Sequence, residues 1–343
     1  MTRRVQRGAG LVATLVGLLI GLVAAVVMLT VFAGSESLKR NAVGAAEVEQ
    51  TAQLVLATLG ADLANAGHTL AEAADDLDLC PDTGNVATTL RPVAVLITAG
   101  SNASTSDAFV VQYGAPSAAG ASMPLAGDAP AGSPFRVRSA LGFAAGDAIV
   151  AIGPDGRCAR TTATSVSVPD VDGVVTVGRS NASESWPETS LLLTLGPGSR
   201  GQRVRYDVVD ATLRSLDLTT AGASPNPLAS NIVVMKAQYG LDENDDGTIE
   251  RWASADVAPW DPASVLAAPA VVLAQMKAVR VGIVVKSEVF DRDQSARFTW
   301  TLFDCGVPGS ACPGRLSGTL PAQWRYRTYE TTVPLRNVIW SAR

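Results

Sequence analysis

A single histidine, His68, stands in 343 residues. Any Ser-His-Asp or Cys-His nucleophilic site would have to be built on it, and no G-x-S-x-G elbow accompanies it. His68 falls just past the end of a predicted helix, a place for a surface or capping residue rather than a ligand. No glycine-rich phosphate loop is present. Cysteines are few, and Cys305 and Cys312 lack the spacing and partners of zinc ligands. Charged residues make up only 17% against 47% hydrophobic, so the bulk is globular rather than disordered. The net charge of −5 argues against a general nucleic-acid binder, which needs a basic face, and leaves a local basic patch open. There is no internal repeat. These absences point away from an enzyme.

Charge is missing most conspicuously at the start. Arg3, Arg4 and Arg7 precede Gly8, and no charged side chain follows until Glu36. Leu11 to Ala33 is almost wholly apolar, a stretch that makes a helix of roughly 35 Å, against a hydrocarbon core of roughly 30 Å. The arginines should stay cytoplasmic and leave the rest of the chain outside. Three readings compete here: a permanent anchor, a secretory signal peptide ending at Val31-Phe32-Ala33, and a processed leader cut at Gly8–Ala9. The apolar run is longer than the core of a signal peptide.

Proline is absent from Glu36 to Ala66, and Ala, Leu, Glu and Gln dominate. Ala52, Val55, Leu56, Leu59, Leu63 and Ala66 recur at spacings of three and four, making one apolar face that a body must cover. Glu47, Glu49 and Asp62 are left to polar surroundings, Gly67 is the natural C-cap, and Gly34 and Gly44 are weak points of the rod. The expected organisation is residues 1–8 as leader, 9–34 as transmembrane helix, 35–67 as its amphipathic continuation and 68–343 as a β-rich body. The fold class is α+β, a long N-terminal helix packed on a β-rich domain.

After a short acidic helix over Leu70–Leu79, β-branched runs alternate with turn residues. Strands are predicted at Val93–Ile97, Ala108–Tyr113, Ala148–Ile152, Cys158–Val166, Val174–Val177, Leu191–Leu195, Arg203–Val209, Thr212–Leu218, Ile232–Tyr239 and Tyr326–Val333. Val279–Lys286 and Arg297–Phe303 are predicted as a pair, Leu266–Lys277 as a short helix broken near Pro269, and Gly114–Pro134 as a flexible small-residue stretch. Gly153-Pro154-Asp155-Gly156 is a turn. Cys80, Cys158, Cys305 and Cys312 form an even set in an exported domain, which suggests two disulfides. Of the three connectivities, Cys305–Cys312 with Cys80–Cys158 is favoured, because Gly306, Pro308 and Gly309 let the chain turn back.

Two clusters carry candidate chemistry. Asp242, Asn244, Asp246 and Glu250 sit at near-alternate positions with Gly247 at the turn, like the start of an EF-hand-type calcium loop. The twelfth position is Ala253, which offers no carboxylate, so an acidic hairpin turn stands as the alternative to bound Ca2+. Arg325, Arg327, Arg336 and Arg343 gather with Trp324, Tyr326, Tyr329 and Trp340; a half-buried edge strand explains them better than a nucleic-acid face.

Gly8-Ala9-Gly10-Leu11-Val12 behind basic residues resembles the processing site of type IV prepilins, and the whole layout resembles the PilW family of minor pilins. The patches that carry this are Leu54–Gly67, Ser106–Tyr113, Gly142–Asp147 followed by Cys158, Gln238-Tyr239-Gly240-Leu241-Asp242 with Asp245-Asp246-Gly247, and Thr331–Asn337. The resemblance implies cleavage by a prepilin peptidase between Gly8 and Ala9, methylation of Ala9 and retention of the helix. It implies an inner-membrane subunit with a periplasmic body that enters the pilus fibre or its tip. The implied partners are other minor pilins, the major pilin, the assembly platform and a large tip adhesin. A type II secretion pseudopilin, and a membrane-anchored periplasmic binding module or enzyme, are the alternatives. Pilins usually carry glutamate at the fifth position after the cut, where this chain has Ala13.

Overall fold

In a computed structural model, the chain is described over residues 9–71, 74, 93–114, 122–155, 157–180, 182–197, 202–220, 222–288, 290, 294–305 and 312–341. Gly8, Cys80, Gly156, Arg343 and most of Leu70–Leu79 lie outside the described residues.

Helix α1 spans Ala9–Asn65 without a break, through Gly34, Gly44 and the Val31–Ala33 stretch. At about 1.5 Å per residue it is a rod of roughly 85 Å. Val12–Phe32 has a mean hydropathy of 2.8 and is exposed throughout. The second half behaves oppositely. Val48, Ala52, Val55, Leu59, Leu63 and Ala66 are buried, whereas Leu54, off that stripe, is 59% exposed. Gly67 ends the rod in the left-handed region at φ 78°. Its N–H donates to Gln112 O at 2.9 Å, which fastens the helix end to a strand.

The strands in chain order are β1 (Val95–Thr98), β2 (Ala108–Tyr113), β3 (Met123–Pro124), β4 (Phe135–Val137), β5 (Asp147–Ile152), β6 (Cys158–Val166), β7 (Val175–Arg179), β8 (Leu191–Pro197), β9 (Gln202–Val209), β10 (Thr212–Asp217), β11 (Asn226–Ser230), β12 (Ile232–Leu241), β13 (Arg251–Ala253), β14 (Met276–Lys286), β15 (Phe298–Leu302), β16 (Leu316–Leu320) and β17 (Tyr326–Pro334). Short helices α2 (Pro262–Ala267) and α3 (Ala270–Leu273) precede β14, and α4 (Arg336–Ser341) follows β17. The body is mostly β, so the α+β label fits it only loosely.

Two antiparallel sheets flank the lower helix, in the orders β1-β2-β9-β10-β11 and β13-β12-β14-β17. Their inner faces and the buried stripe of α1 share one core that includes Ile97, Phe109, Tyr239, Val281 and Leu335. Between the paired strands β2 and β9, residues 122–197 build a second unit, ordered β3-β8-β5-β6-β7-β4. A bridge between Leu125 and Val137 joins its outer ends, closing the six strands around Phe135, Val177, Trp186 and Leu192. Leu70, just past α1, packs with Val150, Ile152 and Leu193 on the outside of that unit. The stretch expected to be loose thus contributes β3 and half of a closing bridge; residues 115–121 of it lie outside the described residues.

One predicted pairing is wrong. β14 does not pair with β15; it lies between β12 and β17, while β15 pairs with β16. A strand has two hydrogen-bonding edges, and the longer strands β12 and β17 take both edges of β14. The β15–β16 ribbon instead covers the outer face, where Val234, Val284, Trp300 and Leu302 form a separate core. Gly282 allows this: a Cβ there would meet Leu302 Cδ2 at 2.9 Å. The predicted Leu266–Lys277 helix is split and shorter, because Pro269 caps α3 and β14 begins at Met276.

Leu59→Ala should lower the stability of the isolated subunit by about 2–5 kcal/mol, read from the denaturant midpoint. Leu54→Ala, on the open side, should change it by less than about 0.5 kcal/mol.

Candidate functional site

The helix is held by polar contacts as well as packing. Tyr329 on β17 donates its hydroxyl to Glu49 Oε2 at 2.8 Å, and Tyr206 on β9 donates to Asp62. The two carboxylates left to polar surroundings are therefore clasped from the two sheets. The hydrogen bond from Tyr329, with a second from Gln53, holds Glu49 below the usual carboxylate range. Burial and Asp62 push the Tyr206 hydroxyl up. Asn337, at the start of α4, donates its amide to Asn65 O at 3.3 Å and Ala66 O at 3.1 Å, capping helix carbonyls left open at its end.

The Gln238–Asp242 motif lies at the centre of the four-stranded sheet, and each residue has a discernible task. Gln238 is fully buried and donates to Ser254 Oγ at 2.8 Å and to Gly314 O at 2.9 Å. Its oxygen accepts from Arg280 Nε at 2.9 Å. That guanidinium lies 4.5 Å from the Trp252 ring centre and 4.3 Å from that of Phe303. Burial pushes Arg280 down to about 10, with Glu330 opposing, so it remains a cation at neutral pH. The Tyr239 oxygen accepts the Ile97 N–H at 2.6 Å, a buried link between β12 and β1. Gly240 leaves room for Trp252, whose ring would lie 2.8 Å from a Cβ.

Asp242 starts the acidic turn between β12 and β13, whose register runs Tyr239↔Ala253 to Leu241↔Arg251. It is buried, and its two oxygens accept from Asp246 N at 3.1 Å and Gly247 N at 2.9 Å. Asn244 Oδ1 accepts from Asp246 N at 3.0 Å, and Glu250 Oε2 from Glu243 N at 2.9 Å. Carboxylate oxygens of Asp242, Asp246 and Glu250 come within 4.8 Å of one another. The structure thus brings three of the four expected calcium ligands together, and the same groups also tie the turn. Lys277 Nζ, 3.0 Å from Asp245, offsets part of the charge.

Cys305 and Cys312 are bonded, with Cα atoms 5.6 Å apart, and close the β15–β16 ribbon beside Pro313 and Gly314. Cys158 is disulfide-bonded, and Cys80 lies outside the described residues. Arg325 and Arg327 sit at the start of β17, an edge of its sheet, where Tyr326 is buried. Lys286 Nζ lies 4.4 Å from the Trp324 ring centre.

Sequence reasoning missed the buried ion pair. Lys236 Nζ meets Asp107 Oδ1 at 2.8 Å, and the same carboxylate accepts from Gly100 N at 2.8 Å and Ala237 N at 3.0 Å. It joins the start of β2 to β12. The signal was present: Lys236 interrupts the apolar run Val233-Val234-Met235, and a lysine there needs a partner.

Tyr239→Phe leaves the Ile97 N–H buried without an acceptor and should cost about 1–3 kcal/mol in denaturant unfolding. Tyr329→Phe tests the Glu49 clasp through pH. A carboxylate held low in the folded state adds stability above its unfolded value of about 4.3 and loses it as pH falls through the folded one. The difference between wild type and Tyr329→Phe should be full near neutrality and vanish in acid.

Residues 202–337 match the family model for PilW, Type IV Pilus-assembly protein W. That region holds the Gln238–Asp242 motif, the acidic turn, the Cys305–Cys312 ribbon and the Thr331–Asn337 end; the patches before residue 202 fall outside it. No curated protein matches the chain by sequence. A solved structure, the type IV-like pilin TTHA1219 from Thermus thermophilus, is 13% identical, with 84% of this chain and 96% of that chain covered and a TM-score of 0.37. The resemblance read in the sequence is met by the family model over residues 202–337.

Proposed function

We propose that this chain is a minor pilin, a non-catalytic subunit that helps to prime or cap the type IV pilus. One observation carries the reading. A single unbroken helix presents apolar side chains all round over Val12–Phe32 and then buries one stripe, Val48 to Ala66, against the body. The first half suits storage in the inner membrane, with the body in the periplasm, and later packing among other apolar helices. That transfer exchanges lipid contacts for protein contacts, so shape decides the neighbours. The partners proposed are other minor pilins, the major pilin, the assembly platform, the prepilin peptidase that cuts at Gly8–Ala9, and a tip adhesin. Ala13 has no carboxylate to pair with a neighbour's amino terminus, which favours a place at the tip, where one neighbour is missing.

The mature N-terminus decides the maturation route. A mass beginning at methylated Ala9 is expected; a start at Gly34 would mean a secreted protein, and an intact Met1 a plain anchor. Immunogold labelling of fibres tests the tip placement. Ala13→Glu should spread the label along the shaft, and unchanged labelling would count against the tip. Deletion should abolish fibres. Intact fibres with lost exoprotein secretion would favour the pseudopilin instead, and a chemical phenotype with both intact would favour the anchored enzyme or binding module.

The proposal keeps Ca2+ at Asp242, Asn244, Asp246 and Glu250 as an optional ligand, on the convergence of three carboxylates. Millimolar Ca2+ should raise the melting temperature of the wild type and not of Glu250→Gln. An unchanged wild-type melt leaves the acidic turn as the whole account.

A further inference from the structure

A cavity of about 310 Å³ lies at the end of the body nearest the apolar segment. Its inner wall is α1 from Gly44 to Val48, where the buried stripe begins. Gly44 is itself covered, against Ser287 at the end of β14. Phe298 and the buried Tyr326, stacked at 5.3 Å, give the cavity an apolar floor. Among the described residues, three arginines and no carboxylate line it. Arg327 stands beside the Glu49–Tyr329 clasp, while Arg297 and Arg325 are exposed. Glu47 and Glu288 are exposed outside its walls. Lys286 Nζ lies 4.4 Å from the Trp324 ring centre, and Phe290, 45% exposed, meets that ring edge-on at 5.5 Å. Cations among partly exposed aromatic rings suit a membrane–water interface, where rings sit at the headgroup level and basic ends meet phosphates.

The rod fixes how far these groups stand from lipid. Gly44 comes a dozen residues after Phe32, about 18 Å along the helix. Lys39 and Arg40 stand between them, the first cations after the apolar run. A headgroup layer is about 5–8 Å deep, so an upright rod holds the cavity about 10 Å above it. Tilts of up to about 40° are usual. Leaning toward β15 and β17 lowers this flank of the body until the long arginine side chains reach the layer. Charge selects the occupant: guanidinium forks take phosphate oxygens, and each basic side chain adds attraction to an anionic leaflet. The apolar floor suits the first carbons of the lipid. We propose that this end of the body docks on the anionic phospholipid headgroups of the leaflet it faces, seating one phosphate in the arginine-lined cavity and so fixing the tilt of the rod.

The docking rests on Val12–Phe32 crossing a membrane, and one experiment reads the two separately. The full-length chain is placed in nanodiscs of phosphatidylcholine, with or without an equal part of phosphatidylglycerol, and amide exchange is followed by mass spectrometry. Retention of the chain in both discs is expected. Residues 294–297 and 323–327 should exchange about threefold slower when phosphatidylglycerol is present. Salt at about 0.5 M should remove that difference in the wild type, and a difference that survives it would count against the docking. Arg297→Gln with Arg325→Gln should also remove it, at the wild-type melting temperature because both side chains are exposed. Arg336→Gln, beside the far end of α1, should keep it; loss there too would mean net charge rather than this cavity. Millimolar glycerol phosphate should leave it intact, and displacement would make this a site for a free phosphate ester instead of lipid. A chain that enters neither disc would sink the membrane span and the docking with it. A chain held in both discs with equal exchange at 294–297 would overturn the docking alone.

Discussion

Everything in this molecule depends on one helix being asked to satisfy two solvents. Over Val12–Phe32 the side chains face outward on every side, and large residues such as Leu18, Met28 and Phe32 are 70% exposed or more. Withdrawing a dozen such residues from water is worth on the order of 20 kcal/mol. No body of this size would leave that undone in water. Beyond Gly44 the same rod buries only a stripe, and the fully covered Leu59 and Leu63 each contribute about 1.5–3 kcal/mol. The second half of the helix is fixed by contacts within the body, independently of whatever surrounds Val12–Phe32.

Those contacts are shared between two sheets, which is why the polar clasps matter. Glu49 is tied to β17 and Asp62 to β9. The sheets are in turn tied to each other by the Tyr239 link to Ile97 and by the Asp107–Lys236 pair. A force along the rod therefore meets β12, β14 and β17 together. β14 is covered on both faces, by α1 and by the β15–β16 ribbon that the Cys305–Cys312 bond closes. The Gln238–Asp242 motif lies at the crossing of these constraints, which gives a physical reason for each of its residue types.

The helix was legible because its period, its lack of proline and its terminal Gly67 agree with one another. Strands such as Ala108–Tyr113 and Cys158–Val166 were legible from β-branched runs between turns, and the structure ends them at the same residues. What the sequence hid was non-local. β3 and β4 are two and three residues long, too short to show a period, and they exist because Leu125 meets Val137 across the closing unit. The mistaken β14–β15 pair arose from nearness in sequence, whereas β17 claimed the edge of β14 from forty residues further on. Glu49 and Asp62 showed their need for polar surroundings but not their tyrosine partners, which lie far along the chain.

The inserted unit between β2 and β9 sharpens what the body is for. Its strands bury their own core and touch the rod's end through Leu70, so little of it is needed to hold α1. The elements that grip the helix are β2, β11, β14, β17 and α4. Most of these lie within the matched region, residues 202–337. The grip on the helix fixes the geometry of those elements, while a closed unit with its own core can change its loops without loosening the rod. The exposed Val168 and Val171, on the turn between β6 and β7, stand on that replaceable part. The division follows from where the buried stripe of α1 ends, since only strands within reach of Val48 to Ala66 are bound to its geometry.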